Sequence, residues 1–312
     1  MKLCGCEIGR GEKGQVKIPV SEGVSLKATL LCGQKPGKTL VVTAGVHGCE
    51  YVGILALERL TESLDLSRLS GQLIALPLLN PEGFFSGAKQ INPLDGKNLN
   101  REFPGNADGT ITQKIAKAIE RWVYPEADFL LDLHGGDWNE SMTPLVFFPC
   151  GAGSKLEAET RAAARMLSVS WRVCSAAKNG LYSWAAQQGI PALLLERGGN
   201  GRWTPEEVDA DREDILRLMA HLKMLEETPA LVEQQEINKA CYEEAPGNGC
   251  WFPAVQAGDT VCQGALLGTW KALEGQHERA VTAAFDATVL YETTALGVRM
   301  NDPLIAYGAV KG

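Results

Sequence analysis

His47 and Glu50 stand three positions apart in the stretch GVHGCE, directly after the apolar run Thr39–Ala44, a placement open to a metal pair. Zinc at a catalytic site takes three protein ligands from histidine and carboxylate and keeps a fourth position open for water. His134, in DLHGG at the end of a second apolar run, would complete a His2Glu set, and Glu196, in LLLERGG at the end of a third, is available as a base beside that water. A long loop after a further run, Gly71–Leu79, adds Asn98-Leu-Asn-Arg101. Each element alone has a plainer reading. A turn histidine is more often just hydrogen-bonded, a carboxylate at i+3 is often a helix N-terminal charge, and Glu196 beside Arg197 could form a local ion pair. Joint placement shifts the balance. Of only four histidines, two fall at the ends of apolar runs beside acidic residues, while His221 in a helix and His277 in a charged loop read as surface residues.

These residues need a scaffold that brings strand ends together. Gln15–Val20 and Ser25–Leu31 alternate in polarity and predict a β-hairpin. Thr39–Ala44, Gly71–Leu79, Asp128–Leu133 and Pro191–Leu195 are apolar runs of strand length, and helical stretches lie at Tyr51–Leu60, Ile111–Val123 and Lys155–Leu167. This alternation predicts an α/β fold, a mixed β-sheet with helices on both faces and ligands outside the carboxyl ends of its strands. Thr204-Pro-Glu-Glu207 is a capping box that opens a last helix over about 206–226. Beyond Pro229 turn signals recur every few residues, which predicts a small all-β C-terminal domain. Within it, FPAVQAGDTVCQGALLG resembles the strand pattern of lipoyl- or biotinyl-type barrels, but Lys271 does not match their hairpin-tip lysine, so no carrier role is expected.

The ordered stretches GVHGCEYVG, NPEGFFSGAKQINPLDGKNLNREFPG, LLDLHGGDWNESMTP and LLLERGGNG resemble the successive motifs of the succinylglutamate desuccinylase/aspartoacylase family, a branch of the zinc carboxypeptidase superfamily. The resemblance runs from about residue 39 to 201 and implies a zinc hydrolase domain over 1–228, followed by a small β-barrel-like domain over 229–312. It implies one zinc ion per chain on His47, Glu50 and His134, a substrate carboxylate held by Asn100 and Arg101, and Glu196 as general base. Asp132, two residues before His134 and so on the same side of the strand, is expected to orient a ligand. Two positions depart from the family pattern. Asn98 stands where aspartate usually accepts a bond from a ligating histidine, so the acceptor brings no charge. Lys89 is the nearest match to an arginine that stabilises the oxyanion, and supplies charge without a bidentate fork.

The activity implied is a zinc-dependent deacylase cleaving the amide bond of an N-acylated amino acid or a related small carboxylated amide. A metallocarboxypeptidase, an esterase acting on a less charged substrate, and a non-catalytic metal- or ligand-binding protein on the same fold are the alternatives. The chain's 312 residues suffice for a large domain and a small one, and a net charge of -8 with scattered basic residues argues against nucleic acid and anionic membranes as partners. A small-molecule substrate carrying a carboxylate is the expected partner, and a homo-oligomer is left open. Nine cysteines form no regular framework and MKLCGCEIGRGEKG holds no apolar stretch, so a reduced, cytoplasmic location is expected; Cys4 and Cys6, a C-x-C without a second pair nearby, read as buried or incidental thiols and not as a metal pair. No window reaches the ~18 apolar residues of a membrane span.

Overall fold

Side chains on successive strand residues point to opposite faces, and in this chain that alternation sorts the apolar residues into two cores. Val41, Leu130, Ala192 and Leu194 pack with the helices Ile111–Trp122 and Leu181–Gln187. Their neighbours Leu40, Val42, Leu131, Leu193 and Leu195 pack instead with the helices Tyr51–Ser63 and Pro205–His221. The computed structural model describes residues 1–151, 154–274 and 277–310, and its main sheet is therefore covered on both faces. Among the described residues no helix is long and apolar enough to cross a membrane.

The main sheet has thirteen strands of mixed direction. At its centre Lys35–Ala44 runs parallel to both Ser70–Leu76 and Phe129–His134, and Phe129–His134 runs parallel to Ala192–Glu196. The register sets Thr43 level with Asp132, and Glu196 level with His134. Two strands absent from the apolar-run pattern, Leu145–Pro149 and Trp171–Ser175, extend the sheet beyond Ala192–Glu196. The N-terminal hairpin, Lys13–Ser21 with Val24–Cys32, closes the other side.

After 227–234, which carry no regular structure, Gln235–Glu244 pairs parallel with Trp171–Ser175. Pro303–Val310 and Ala287–Thr293 then pair onto it in turn, so the C-terminal strands continue the main sheet. A separate four-stranded sheet, with Gly249–Pro253 and Leu266–Ala272 at its middle, encloses a further core around Trp251 and Tyr307.

The last helix ends earlier than the sequence pattern suggests, at His221, and Lys223 follows in the left-handed region with φ +63°. Its start is as the capping box requires: Thr204 Oγ1 accepts the Glu207 N–H, and the Glu207 carboxylate accepts the Thr204 N–H. Cys150 and Cys174 are bonded, with Cα atoms 5.5 Å apart; seven other cysteines, Cys4 and Cys6 among them, are unbonded.

Arg197 turns away from its neighbour Glu196. Its Nε donates to Asp211 (2.7 Å) and its Nη2 to Asp214 (2.6 Å), both wholly buried on the last helix. This pinning sets the level of the strand end that carries Glu196. Removing the guanidinium would leave two buried carboxylates unpaired, so Arg197→Leu is expected to lose roughly 3–5 kcal/mol in urea unfolding.

Candidate active site

The strand Lys35–Ala44 runs into Gly45, whose φ of +64° turns the chain, and His47 and Glu50 follow before the helix Tyr51–Ser63. Gly48 lets this turn lie against the chain at Gly83 and Phe84, because a Cβ there would overlap the Phe84 backbone nitrogen. Glu50 occupies the N-cap position but makes no capping bond. Its carboxylate faces the histidines instead: Oε1 lies 2.6 Å from His47 Nδ1 and Oε2 lies 2.9 Å from His134 Nδ1. The second contact lacks hydrogen-bond geometry, and Glu50 Oε2 is buried with no hydrogen-bond partner among the described residues. All three side chains are buried, and their ligand atoms lie within 4.8 Å of one another.

The outer nitrogens of both rings are held. His47 Nε2 lies 3.1 Å from Asn98 Oδ1, and that oxygen also accepts the Asn100 N–H at 2.8 Å. Being already an acceptor, Asn98 Oδ1 places the imidazole proton on His47 Nε2. His134 Nε2 donates to Asp132 Oδ2 (3.0 Å), while Asp132 Oδ1 accepts from Thr43 Oγ1 (2.7 Å). Both rings therefore turn Nδ1 inward onto a carboxylate. Lone pairs and an anion facing each other in a buried site call for a shared cation, either a proton or a metal ion. With protons in that role, burial pushes the Glu50 carboxyl up, but His47 and then His134 outweigh it and hold it down at about 2. Burial lowers the His134 imidazole, and Asp132 with Glu50 reverses this, leaving it well above its ordinary value. Two histidines and a carboxylate, inward lone pairs and an unpartnered carboxylate oxygen fit a divalent ion such as zinc, which binds such atoms at ~2.0–2.2 Å.

A cavity of about 830 Å3 opens onto this cluster. It is lined by His47, Glu50, Asn98, Asn100, Arg101, His134 and Glu196, so the chain gathers these sequence-identified residues in one place. Asp132 lies wholly buried behind His134. Glu196 makes no ion pair among the described residues, and its Oε2 is buried without a hydrogen-bond partner. Burial pushes its carboxyl well above the usual carboxylate range; His134 opposes this, and Glu50, Glu140 and Asp132 add to it. Arg101 is exposed and donates from Nη1 to the Asn100 carbonyl (2.8 Å). Asn100 Oδ1 accepts the Leu181 N–H at 2.9 Å, which ties the loop to the helix Leu181–Gln187. Lys89 is not brought to the cavity wall. Its Nζ lies 3.3 Å from Glu140 Oε1.

Asp137, Glu140, Tyr182 and Tyr242 also line the cavity and did not emerge from sequence reasoning. The acidic pair was visible in DWNE of the third motif; the tyrosines carry no local signal. Burial, then the Glu50 charge, pushes Asp137 up, and burial, then Asp137, pushes Glu140 up. Of the aromatic and amide residues near strand ends, Tyr291 lines the cavity, whereas Trp138 is exposed and Asn139 is buried away from it. His221 is half-buried and His277 exposed, and neither reaches the site.

Residues 36–222 match the succinylglutamate desuccinylase/aspartoacylase catalytic domain, and the chain belongs to that family. It is 28% identical over 269 residues to the N-alpha-acetyl-L-2,4-diaminobutyric acid deacetylase of Halomonas elongata, covering 82% of this chain and 78% of that one. A succinylglutamate desuccinylase/aspartoacylase from Rhodobacter sphaeroides superposes with a TM-score of 0.87 at 26% identity over 98% of each chain. The product-bound ectoine utilization protein EutE (DoeB) from Ruegeria pomeroyi shares the fold, with a TM-score of 0.87 at 24% identity over 97% of each chain.

Metal content by elemental analysis is expected to fall from near one divalent ion per chain to none in His47→Ala and in His134→Ala. Asp132→Asn, which keeps the ring's partner but removes its charge, is expected to weaken retention against a chelator by about 10–100-fold.

Proposed function

We propose that the chain is a zinc-dependent amidohydrolase that removes the acyl group from an N-acylated amino acid. The observation that carries this reading is Glu196, a carboxylate without an ion pair among the described residues, level with His134 and lining the same cavity as the His47–Glu50–His134 cluster. Bound there, one zinc ion per chain supplies Lewis acidity to the scissile carbonyl and acidifies a water. The chain's own residues do the rest. Glu196 takes the proton of the attacking water and delivers it to the leaving amine, acting as base and then as acid. Its burial supports the proton shuttle, since it strengthens the hold of the carboxylate on a proton taken from water.

Arg101, free of acidic partners among the described residues, meets the substrate carboxylate with its planar fork and orients the amide. Asn100 has its Oδ1 committed to Leu181, so its Nδ2 is the end that can donate to the same carboxylate. Asn98 and Asp132 act through the histidines, fixing their tautomers and ring planes. Lys89 acts through Glu140 in this reading, with no direct hold on the substrate.

A metallocarboxypeptidase would use the same residues. Tyr242, Tyr291 and Pro303, from the C-terminal strands, wall the cavity and support a small substrate over a peptide chain. The deacetylase activity in the name of the Halomonas relative points the same way. A carboxylate and a guanidinium that make no ion pair among the described residues favour catalysis over metal or ligand binding alone.

On the zinc-loaded protein, Glu196→Gln is expected to lower kcat on N-acetyl amino acids by about 10²–10⁴-fold with metal content unchanged. Arg101→Ala is expected to lower kcat/KM for the same substrates and to leave uncharged acyl amides unaffected. Faster cleavage of C-terminal dipeptides than of acyl amino acids would move the assignment to the carboxypeptidase, and unchanged turnover in both variants would end it.

A further inference from the structure

We infer that Gln90 is a further catalytic residue, a neutral donor whose side-chain amide meets the scissile carbonyl oxygen as that oxygen gains negative charge. The inference rests on the deacylase reading and adds one residue to its machinery. Gln90 lines the cavity together with His47, Glu50 and Glu196, whereas its neighbour Lys89 turns off the wall to Glu140 at 3.3 Å. Most polar side chains beside the cluster cannot do this work. Glu50, Asp137, Glu140 and Glu196 are carboxylates that would repel the developing charge, and the Asn98 oxygen is an acceptor shared by His47 and the Asn100 N–H. Asn100 and Arg101 face the substrate carboxylate, and the Tyr182 hydroxyl is bonded to Ser175. Gln90 is half-buried, and its amide has no hydrogen-bond partner among the described residues.

The backbone holds this amide in place at a conformational cost. Gln90 has a φ of +56°, in the left-handed region that residues other than glycine rarely adopt. The Ile91 N–H donates to the Lys89 carbonyl at 2.6 Å and closes a three-residue turn about it. One buried side chain ties that turn to the turn that carries His47. Asn80 Nδ2 donates to the Ile91 carbonyl (3.1 Å) and to the Val46 carbonyl (3.4 Å), and the Asn80 N–H donates to the Gly45 carbonyl (2.8 Å). Gln90 is thereby placed one residue from a chain segment bonded to the residue before His47. Glycine would form the same turn without strain, so the long amide is kept for what its end group does. A donor fixed before the reaction needs no reorganisation when charge develops, and one such side-chain amide contributes ~10²–10³ in kcat.

The test compares Gln90→Ala, Gln90→Gly and Gln90→Glu with the parent protein, all zinc-loaded, on whichever N-acetyl amino acid the parent cleaves fastest. Each variant should lose about 10²–10³-fold in kcat with KM and zinc content unchanged, and the added charge of Gln90→Glu should make its loss the largest. An inhibitor in which a methylphosphonyl group replaces the acetyl group, so that a tetrahedral anion stands in for the reacting carbon, should weaken in step with kcat. Urea unfolding supplies a readout apart from turnover. Gln90→Gly, which relieves the positive φ, should unfold at a higher urea concentration than Gln90→Ala and no lower than the parent. A loss of kcat in a variant that keeps the turn then belongs to the missing donor and not to a damaged fold. Full activity in Gln90→Gly, a loss confined to KM, or an inhibitor bound equally by all variants would overturn the inference and leave the deacylase reading standing. No turnover by the parent on any N-acetyl amino acid would overturn the deacylase reading, and the inference with it.

Discussion

Everything at the site depends on one electrostatic constraint: the Glu50 carboxylate is buried between two imidazoles that both turn a ring nitrogen toward it. Such a cluster is stable only when the outer nitrogens are fixed and a cation is shared inside. The sheet meets the first condition through register. Thr43, Asp132 and His134 face the same way because strand side chains alternate, and the parallel pairing sets Thr43 beside Asp132 and Glu196 beside His134. A slip of one residue would turn Asp132, His134 or Glu196 to the opposite core, so the packing of Leu131, Leu133, Leu193 and Leu195 against the other helix layer also holds the chemistry in place.

The two histidines are not equivalent. His134 leans on a charged, wholly buried aspartate that is itself held by Thr43, whereas His47 leans on a neutral amide that is shared with the Asn100 backbone. A charged acceptor raises the basicity of the opposite ring nitrogen more than an amide does. His134 is thus the stronger donor to a cation and His47 the weaker one. The Asn98 oxygen has a second task that aspartate would share: by accepting the Asn100 N–H it shapes the short turn that presents Arg101. Ligand orientation and substrate positioning run through one side chain.

Much of this was legible in the sequence wherever the signal was local. The runs around Leu40, Leu130 and Leu193 are buried on both faces and read as strands without help, and the four ordered motifs carried His47, Glu50, Asn98, Asn100, Arg101, His134 and Glu196. Leu145–Pro149 and Trp171–Ser175 were not legible: one is short and ends in proline, the other carries Arg172, and only pairing with each other and with distant strands makes them sheet. Asp137 and Glu140 sat in view within a motif, but their meaning depends on Cys49 and Lys89, which come from other segments. A contact across the fold leaves no periodic trace.

The C-terminal strands show how that non-local pairing reaches function. Gln235–Glu244 continues the sheet past Trp171–Ser175, and Ala287–Thr293 pairs with Glu140–Met142 as well as with Pro303–Val310. Thr293 is thereby level with Glu140, and Tyr291 with Met142. Backbone hydrogen bonds from one end of the chain hold the acidic wall that faces the cluster built at the other. The size and charge of the cavity are consequently set by sheet register, which tolerates little movement, more than by loops free to adapt. A change of substrate in this architecture would come most readily from residues such as Glu140 and Tyr242 that project from paired strands, leaving the His47–Glu50–His134 geometry intact.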